Sequence, residues 1–202
     1  MLKIYHVNGT RGTRVIWLCE ELEVPYEIET VSFAPEFRAS PEWRARNPVG
    51  KVPAMTDGDV SLFESGAMMD YVLARYGEGR LVPPVGSQAH AHYLQWHWFA
   101  EATLARPLGE IVNHGREFPG EQRIAAVVNE MADRSVVCLN AVADAVGDNS
   151  YILGETFTAA DISLGYSLML GQMLIPERFP EALTPYWERL AARSGFQIAR
   201  EA

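Results

Sequence analysis

Hydrophobic and polar residues alternate along the first part of the chain in two different periods. Apolar residues recur at every second position over residues 2–7 and again over 26–31, which predicts two β-strands. Between them Val15, Leu18 and Leu22 recur at three- and four-residue spacing among glutamates, a pattern typical of an amphipathic helix. A strand, a helix and a strand within about thirty residues predict a βαβ unit with a right-handed connection.

The segment that follows adds a hairpin and two helices to this unit. Four elements are predicted: a short helix at 40–46, strands at 51–55 and 60–63, and a helix at 65–76. The Asp57-Gly58 step between the two strands is typical of a tight hairpin turn. The first part of the chain is therefore predicted to be one α/β domain.

The pattern changes at residues 80–86, where prolines cluster and the hydrophobic period is lost. Beyond this segment the periodicity predicts helices only, the longest of them over 87–113 and 122–146. The predicted organisation is an α/β domain at 1–79, a linker at 80–87 and an all-α domain at 88–202.

One helix start in the second half is specified by its sequence in two ways. Thr158 and Asp161 are spaced for a capping box, in which each side chain accepts the backbone N–H of the other residue. Phe157 and Ile162 stand at the two positions of a hydrophobic staple. We expect this helix to run through the core and to have a structural role without a catalytic one.

Composition narrows the classes of partner. The chain is 48% hydrophobic and 21% charged, which is ordinary for a globular protein, and its net charge is -9. A negative balance argues against nucleic acid or an anionic membrane surface as the main partner. With no run of 18 apolar residues and no leader-like N-terminus, we expect a cytoplasmic protein without a membrane partner.

Three histidines near the start of the helical half could suggest a metal site. On a helix of about 100° per residue, however, His92 points away from His90 and His97. The chain also lacks a Cys-x-x-Cys pair, so no metal is expected.

Residues 50–54 and 63–67 together predict a site for a small, peptide-like molecule. The Val52-Pro53 pair leads into a short strand and would offer an extended backbone edge. Glu64 opens a helix whose N-terminal end favours a carboxylate.

The chain resembles the cytosolic glutathione transferase family, and the resemblance covers nearly all of its length. It rests on four segments in the family's order and spacing: residues 10–22, residues 47–53, Glu64-Ser65 and residues 158–162. The resemblance implies a thioredoxin-like N-terminal domain, an all-helical C-terminal domain, a homodimer, and a glutathione site between the domains.

The resemblance also implies how glutathione is bound. Pro53 would be cis, so that the Val52 backbone pairs with the cysteine backbone of glutathione. Ser65 would hold the γ-glutamyl carboxylate, Glu64 would face the neighbouring ammonium, and Lys51 could reach the glycyl carboxylate. If the resemblance is set aside, Pro53 is interpreted as a trans proline at a strand edge and Glu64-Ser65 as an ordinary helix cap. Lys51 is then a solvated surface lysine.

Catalysis in such a protein requires a hydrogen-bond donor and a positive field for the glutathione thiolate. The N-terminus of the first helix supplies the field, and Thr10 is the predicted donor because relatives carry serine, threonine or cysteine there. Gly12 stands where many relatives have a serine, which leaves Thr13, Asn8 and Tyr5 as alternatives. This loop holds no cysteine, which counts against the disulfide-reducing branches of the family.

Two functions follow from these features. The first is a glutathione transferase that activates the thiol for attack on, or reduction of, a small hydrophobic electrophile. Trp96, Phe99, Thr103 and Arg106 fall at helical spacing on the helix after the linker. Phe99, Thr103 and Arg106 share one face and could border the electrophile site, whereas Trp96 is expected to pack in the core. The alternative is a non-catalytic binding or regulatory protein with the same fold.

Overall fold

The computed structural model describes residues 1–202, which divide into two compact units. One unit comprises Met1–Val82 together with Ala192–Ala202, and the other comprises Pro83–Ala191. The boundary near Val82 lies inside the proposed linker at 80–87. The C-terminal segment, which the sequence places in the helical domain, belongs with the N-terminal unit.

The N-terminal unit is built on one four-stranded mixed sheet. Its strands are β1 (Leu2–His6), β2 (Tyr26–Thr30), β3 (Ala54–Asp57) and β4 (Val60–Phe63), in the order β2-β1-β3-β4. β1 and β2 are parallel, while β3 pairs antiparallel with both β1 and β4. The βαβ unit and the hairpin predicted from the sequence are confirmed. Strand β3 begins later than predicted, after Pro53, which has no N–H to donate to a ladder.

Ten α-helices complete the chain. They are α1 (Gly12–Leu22), α2 (Pro35–Ala39), α3 (Pro41–Arg46), α4 (Ser65–Tyr76), α5 (Gln88–Trp98), α6 (Ala105–Glu117), α7 (Ala125–Val146), α8 (Ala159–Leu174), α9 (Thr184–Ala191) and α10 (Ser194–Glu201). The α/β architecture of the first unit and the helical second unit match the predicted fold class. None of the helices combines the length and the apolar character needed to span a bilayer.

Helix α1 is buried on nearly every side because β1, α4 and α10 all pack against it. The ring of Phe196 on α10 lies 4.9 Å from that of Trp17. Arg193, just before α10, donates two hydrogen bonds to the Glu21 carboxylate, at 2.7 and 2.6 Å. A side chain at Gly195 would begin 3.0 Å from Trp17, so the two helices approach closely there. These contacts explain why the C-terminal segment belongs with the N-terminal unit.

The helical unit is organised around α8, most of whose residues are buried. Its predicted capping box is present, and the fully buried Asp161 also accepts hydrogen bonds from the Ile152 N–H at 2.9 Å and the Tyr186 hydroxyl at 2.8 Å. Ser167 donates from α8 to the Ala100 carbonyl at 3.1 Å. The predictions of a core helix and of its capping box are confirmed.

The helix predicted over 87–113 is interrupted. A π-helical turn, Phe99–Leu104, lies between α5 and α6. Such turns shift every later residue around the helix axis relative to a regular α-helix. Faces deduced from a constant 3.6-residue period therefore do not carry across this segment.

Candidate functional site

The backbone around Val52 is held in place from one side and open on the other. The Lys51 carbonyl accepts hydrogen bonds from the Trp43 indole N–H at 3.2 Å and the Asn47 amide at 2.9 Å. Both donors are buried, so the segment is anchored to the core. No hydrogen bond within the protein engages the backbone N–H or carbonyl of Val52, and the Val52–Pro53 peptide bond is cis. The segment thus presents a fixed, unpaired backbone edge to an incoming peptide group.

The hairpin brings this edge next to the start of α4. Ala54 on β3 lies opposite Phe63 on β4, so Val52 and Ser65, each two residues further, leave the same end of the hairpin. Ser65 is the first residue of α4 and is 3% exposed. Its N–H and those of the next residues have no intrahelical partners. A backbone edge and the positive end of a helix therefore lie together.

Glu64 adopts an unusual backbone conformation at this junction. Its φ of 75° and ψ of 109° lie in a region that side-chain-bearing residues rarely occupy, at a cost of about 1–3 kcal/mol. Although Glu64 is the N-cap of α4, its side chain makes no capping hydrogen bond and is exposed. The interpretation of Glu64 and Ser65 as an ordinary side-chain cap is therefore not supported. Backbone strain of this kind clusters at ligand-binding positions.

Lys51 precedes the open edge, and its side chain is exposed. An exposed ammonium can approach a carboxylate of a molecule lying along Val52, although each such pair contributes little in water. The geometry is compatible both with a binding role and with a solvated surface lysine.

Thr10 lies in the turn between β1 and α1, half-buried. Its hydroxyl donates to the Val7 carbonyl at 2.7 Å, and its N–H reaches the same carbonyl at 3.1 Å. A threonine hydroxyl has a single proton, so Thr10 must rotate away from Val7 before it can donate to a sulfur. The structure leaves Thr10 next to the helix start but with its proton directed at the backbone.

The alternative donors differ in exposure. The Thr13 side chain is fully buried, and its Oγ1 has no hydrogen-bond partner. Tyr5 is 5% exposed and packs edge-to-face on Trp43, with ring centroids 6.2 Å apart, as expected of a core aromatic residue. Asn8 is exposed. Thr10 and Asn8 are therefore the candidates whose side chains are accessible.

The helix start itself favours an anion. The first turn of α1 contains no acidic residue, and the N-cap side chain makes no capping bond. The positive end of the helix dipole is thus not neutralised from within the helix, which stabilises a nearby thiolate.

His6, the last residue of β1, was not among the residues predicted from the sequence to belong to the site. Its ring is fully buried, and neither nitrogen has a partner in full hydrogen-bond geometry. Desolvation lowers the pKa of His6 to about 4, and the backbone of Ala202 offsets only part of that shift. A β-carbon on Gly12 would lie 2.2 Å from His6 Nδ1. The contact leaves no room for a side chain at position 12, and no local pattern could indicate it because it depends on how α1 folds back over β1.

The residues expected to border the electrophile site lie on both sides of the π-helical turn. Trp96 and Phe99 are half-buried and pack edge-to-face, with ring centroids 5.1 Å apart, whereas Thr103 is exposed. Arg106 lines a groove of about 310 Å³ between α6 and α7, shared with Glu110, Asn113, His114, Glu117, Phe118, Val127, Met131 and Arg134. Because of the π turn, a common face for Phe99, Thr103 and Arg106 cannot be deduced from their spacing.

The three histidines at 90, 92 and 97 have separate environments. His97 is buried and lies 2.9 Å, through Nδ1, from the Ser163 hydroxyl, while His90 stacks on Tyr93 and His92 is exposed. No group of three or more histidine, cysteine or acidic side chains is arranged to hold a metal ion.

A wider surface hollow of about 630 Å³ lies in the N-terminal unit and contains none of the predicted site residues. It is lined by Cys19, Glu20, Glu23, Val24, Pro25, Tyr26 and Ile28. The Tyr26 hydroxyl donates to the Glu20 carboxylate within it. Its open form and internally paired polar groups do not match a peptide-binding edge, so volume alone does not indicate the site.

Related protein sequences match this chain over almost its whole length. The model of the glutathione S-transferase N-terminal domain matches residues 1–74. Glutathione S-transferase 3 of Zea mays is 30% identical over 206 residues, which cover 97% of this chain and 91% of the maize protein. Glutathione S-transferase 3 of Schizosaccharomyces pombe is 27% identical over 212 residues, covering 100% and 87%.

Solved structures are similar along the full length as well. The theta class glutathione S-transferase of Xanthomonas axonopodis pv. citri, solved with glutathione bound, has a TM-score of 0.86 and 26% identity, covering 100% of this chain and 97% of its own. A glutathione transferase family member from Pseudomonas fluorescens Pf-5, solved with two glutathione bound, has the same TM-score and identity and covers 99% and 92%. With a relative 30% identical over nearly its full length and this agreement in fold, the chain belongs to the glutathione S-transferase family.

Proposed function

We propose that the protein is a glutathione transferase, in which Lys51, Val52, Glu64 and Ser65 bind glutathione and Thr10 donates a hydrogen bond to its thiolate. The observation that carries this proposal is the unpaired Val52 edge leaving the hairpin beside the start of α4. That pair of features suits a small peptide with a free carboxylate. Two relatives of similar fold were solved with glutathione bound, which supports this identity for the peptide.

Each residue has a physical role in the proposed reaction. The Val52 N–H and carbonyl pair with the cysteinyl backbone and fix where the sulfur lies. The Ser65 hydroxyl and the N–H groups of the first turn of α4 hold the γ-glutamyl carboxylate, while Glu64 faces its ammonium. Lys51 attracts the glycyl carboxylate. The thiol proton leaves to solvent, and the N-terminus of α1, whose first turn has no acidic residue, and the Thr10 hydroxyl stabilise the resulting thiolate.

The electrophile is proposed to be a small hydrophobic molecule. The thiolate attacks its electrophilic carbon, the carbon–sulfur bond forms, and the leaving group departs with the displaced electron pair. Because an ionised sulfur is already a strong nucleophile, positioning and field supply most of what the reaction needs from the protein.

A non-catalytic binding protein is the second candidate, and one observation favours it. The Thr10 hydroxyl proton is directed at Val7, and Gly12 cannot provide a second hydroxyl. In that case the glutathione site would remain while thiol activation would be weak.

One pair of measurements separates the two candidates. Retention on immobilised glutathione and turnover of an activated aryl halide are expected for the transferase. Retention without turnover would favour the binding protein, and loss of retention would contradict both.

We also propose that the protein is a cytoplasmic homodimer. Leu94 and Trp98 are 38% and 50% exposed and lie one helical turn apart on α5, so they can form one apolar patch of the kind that marks protein–protein contacts. Light scattering is expected to give twice the monomer mass, and Trp98→Asp is expected to shift it toward the monomer. A monomeric wild-type protein would contradict the proposal.

A further inference from the structure

The contact between His6 and Gly12 joins the end of β1 to the start of α1. An ideal β-carbon on Gly12 would lie 2.2 Å from Nδ1 of His6 and 3.2 Å from its Cγ and Cε1. Real β-carbons do not approach other atoms so closely, so the edge of the imidazole lies directly against the backbone of Gly12. The ring is fully buried and cannot turn out into solvent to make room.

Stability alone does not explain a histidine at this position. Neither ring nitrogen has a partner in full hydrogen-bond geometry, and the nearby backbone of Ala202 only weakly offsets the loss of solvent, although nearly all buried polar side-chain atoms in native proteins are well paired. An apolar side chain would fill the space without removing a polar group from water. What the ring does make is a close contact with Gly12, the first residue of α1.

The position of that residue matters to the proposed chemistry. The helix field acts mainly through the first turn, so it depends strongly on where that turn lies relative to the sulfur. Functional groups must be held within about 0.5 Å of a productive arrangement. Thr10, whose carbonyl accepts the Thr13 N–H at 3.0 Å, moves with the same turn.

We propose that His6 is a positioning residue: its buried imidazole, lying against Gly12, fixes the first turn of α1 and the Thr10 loop where they stabilise the glutathione thiolate. The inference rests on the proposed function. His6 does not touch the thiol, since the ring is inaccessible, and it acts only through Gly12 and the turn that follows it.

A double-mutant cycle tests this role. Gly12→Ala adds one methyl group at the contact, His6→Ala removes the ring, and the double variant does both. For each, the pKa of enzyme-bound glutathione is measured from thiolate absorbance, together with kcat, the glutathione KM and thermal unfolding. Gly115→Ala is the matched control, because nothing lies within 4 Å of a β-carbon at that helical glycine.

Gly12→Ala is expected to raise the bound thiol pKa by about one unit and to lower kcat at neutral pH by about three- to tenfold, with the glutathione KM changed less than about twofold. The double variant should return to within about threefold of His6→Ala. His6→Asn, which keeps a nitrogen near the position of Nδ1, should retain more activity than His6→Ala. The control should match the wild type.

Three results would overturn the positioning role. The first is a thiol pKa and a kcat in Gly12→Ala that equal those of the wild type. The second is a loss of kcat in Gly12→Ala that persists in full when His6→Ala is added. The third applies if Gly12→Ala fails to fold, and it is a thiol pKa in His6→Ala equal to that of the wild type. A wild-type protein that binds no glutathione thiolate would instead overturn the proposed function, which separates the two failures.

Discussion

The two halves of the proposed glutathione site are built by different means. On the side of residues 51–65, the proposed binding groups are backbone atoms together with the side chains of Lys51, Glu64 and Ser65, and all are placed by a Val-Pro step, a hairpin and a helix start. On the side of the β1–α1 turn, the chemistry depends on side chains whose availability is set by packing, as Thr10 and His6 illustrate. Binding determinants of the first kind can be recognised from local sequence, and activating groups of the second kind cannot.

The largest effect is expected on the side of residues 51–65, from Ser65→Ala, which removes the hydroxyl proposed to hold the γ-glutamyl carboxylate. A hydrogen bond to a charged group contributes about 1.5–3 kcal/mol, so glutathione affinity should fall about tenfold to one-hundredfold. Calorimetric titration measures the change. Ser61→Ala, on the exposed face of β4, is the matched control and should bind as the wild type does. An affinity within twofold of wild type would remove Ser65 from the site.

On the other side, Thr10→Ala is expected to raise the bound thiol pKa by about one unit, which corresponds to about 1.4 kcal/mol and a loss of thiolate at neutral pH of at most about tenfold. Glutathione affinity should change little, because the peptide is held elsewhere. Thr10→Ser keeps the hydroxyl and should retain activity. Full activity and an unchanged thiol pKa in the alanine variant would show that Thr10 is not the donor.

Acid stability tests the packing of the β1–α1 region directly. The pKa of His6 is about 4 in the folded protein and near 6.5 in the unfolded chain, so the unfolded state binds the extra proton between these values. The His6 contribution to stability is complete above pH 6.5. It is lost as the pH falls, by at most about 1.4 kcal/mol of unfolding free energy per pH unit, until about pH 4.

Denaturant titrations of the wild type and His6→Leu over this range measure that loss. The leucine variant should lack the His6 component of the slope while keeping those of the carboxylates. Identical slopes in the two proteins would mean that His6 titrates normally and is not held in a dry contact with Gly12.

The smallest effect is expected from Lys51→Ala. An exposed charge pair contributes about 0.2–1 kcal/mol, which predicts a loss of glutathione affinity of about fivefold at most, weaker at high salt. Titrations at low and high ionic strength test both points. A loss as large as that of Ser65→Ala would show that Lys51 is more enclosed with glutathione bound than its exposure here indicates.

Several features could be predicted because their rules are local. The Thr158–Asp161 capping box needs only a three-residue spacing, and the β3–β4 hairpin needs only an Asp-Gly step between apolar runs. The π turn at Phe99–Leu104 was not predictable, since it changes the helical phase without a Gly or Pro to mark it. Nor was the placement of Ala192–Ala202, which depends on Phe196 meeting Trp17.

The sequence by itself determined the α/β and all-α order of the chain, which follows from periodicity and caps, in which neighbours in sequence are neighbours in space. Short motifs carried the resemblance that indicated the family, and the residues proposed to bind glutathione come from that resemblance. Only the tertiary structure decided that Glu64 has a positive φ, that the Thr10 proton is directed at Val7, and that Gly12 lies against His6. Those features depend on how the strands and helices pack against one another. The same local sequences are compatible with other packing arrangements, so they do not specify these contacts.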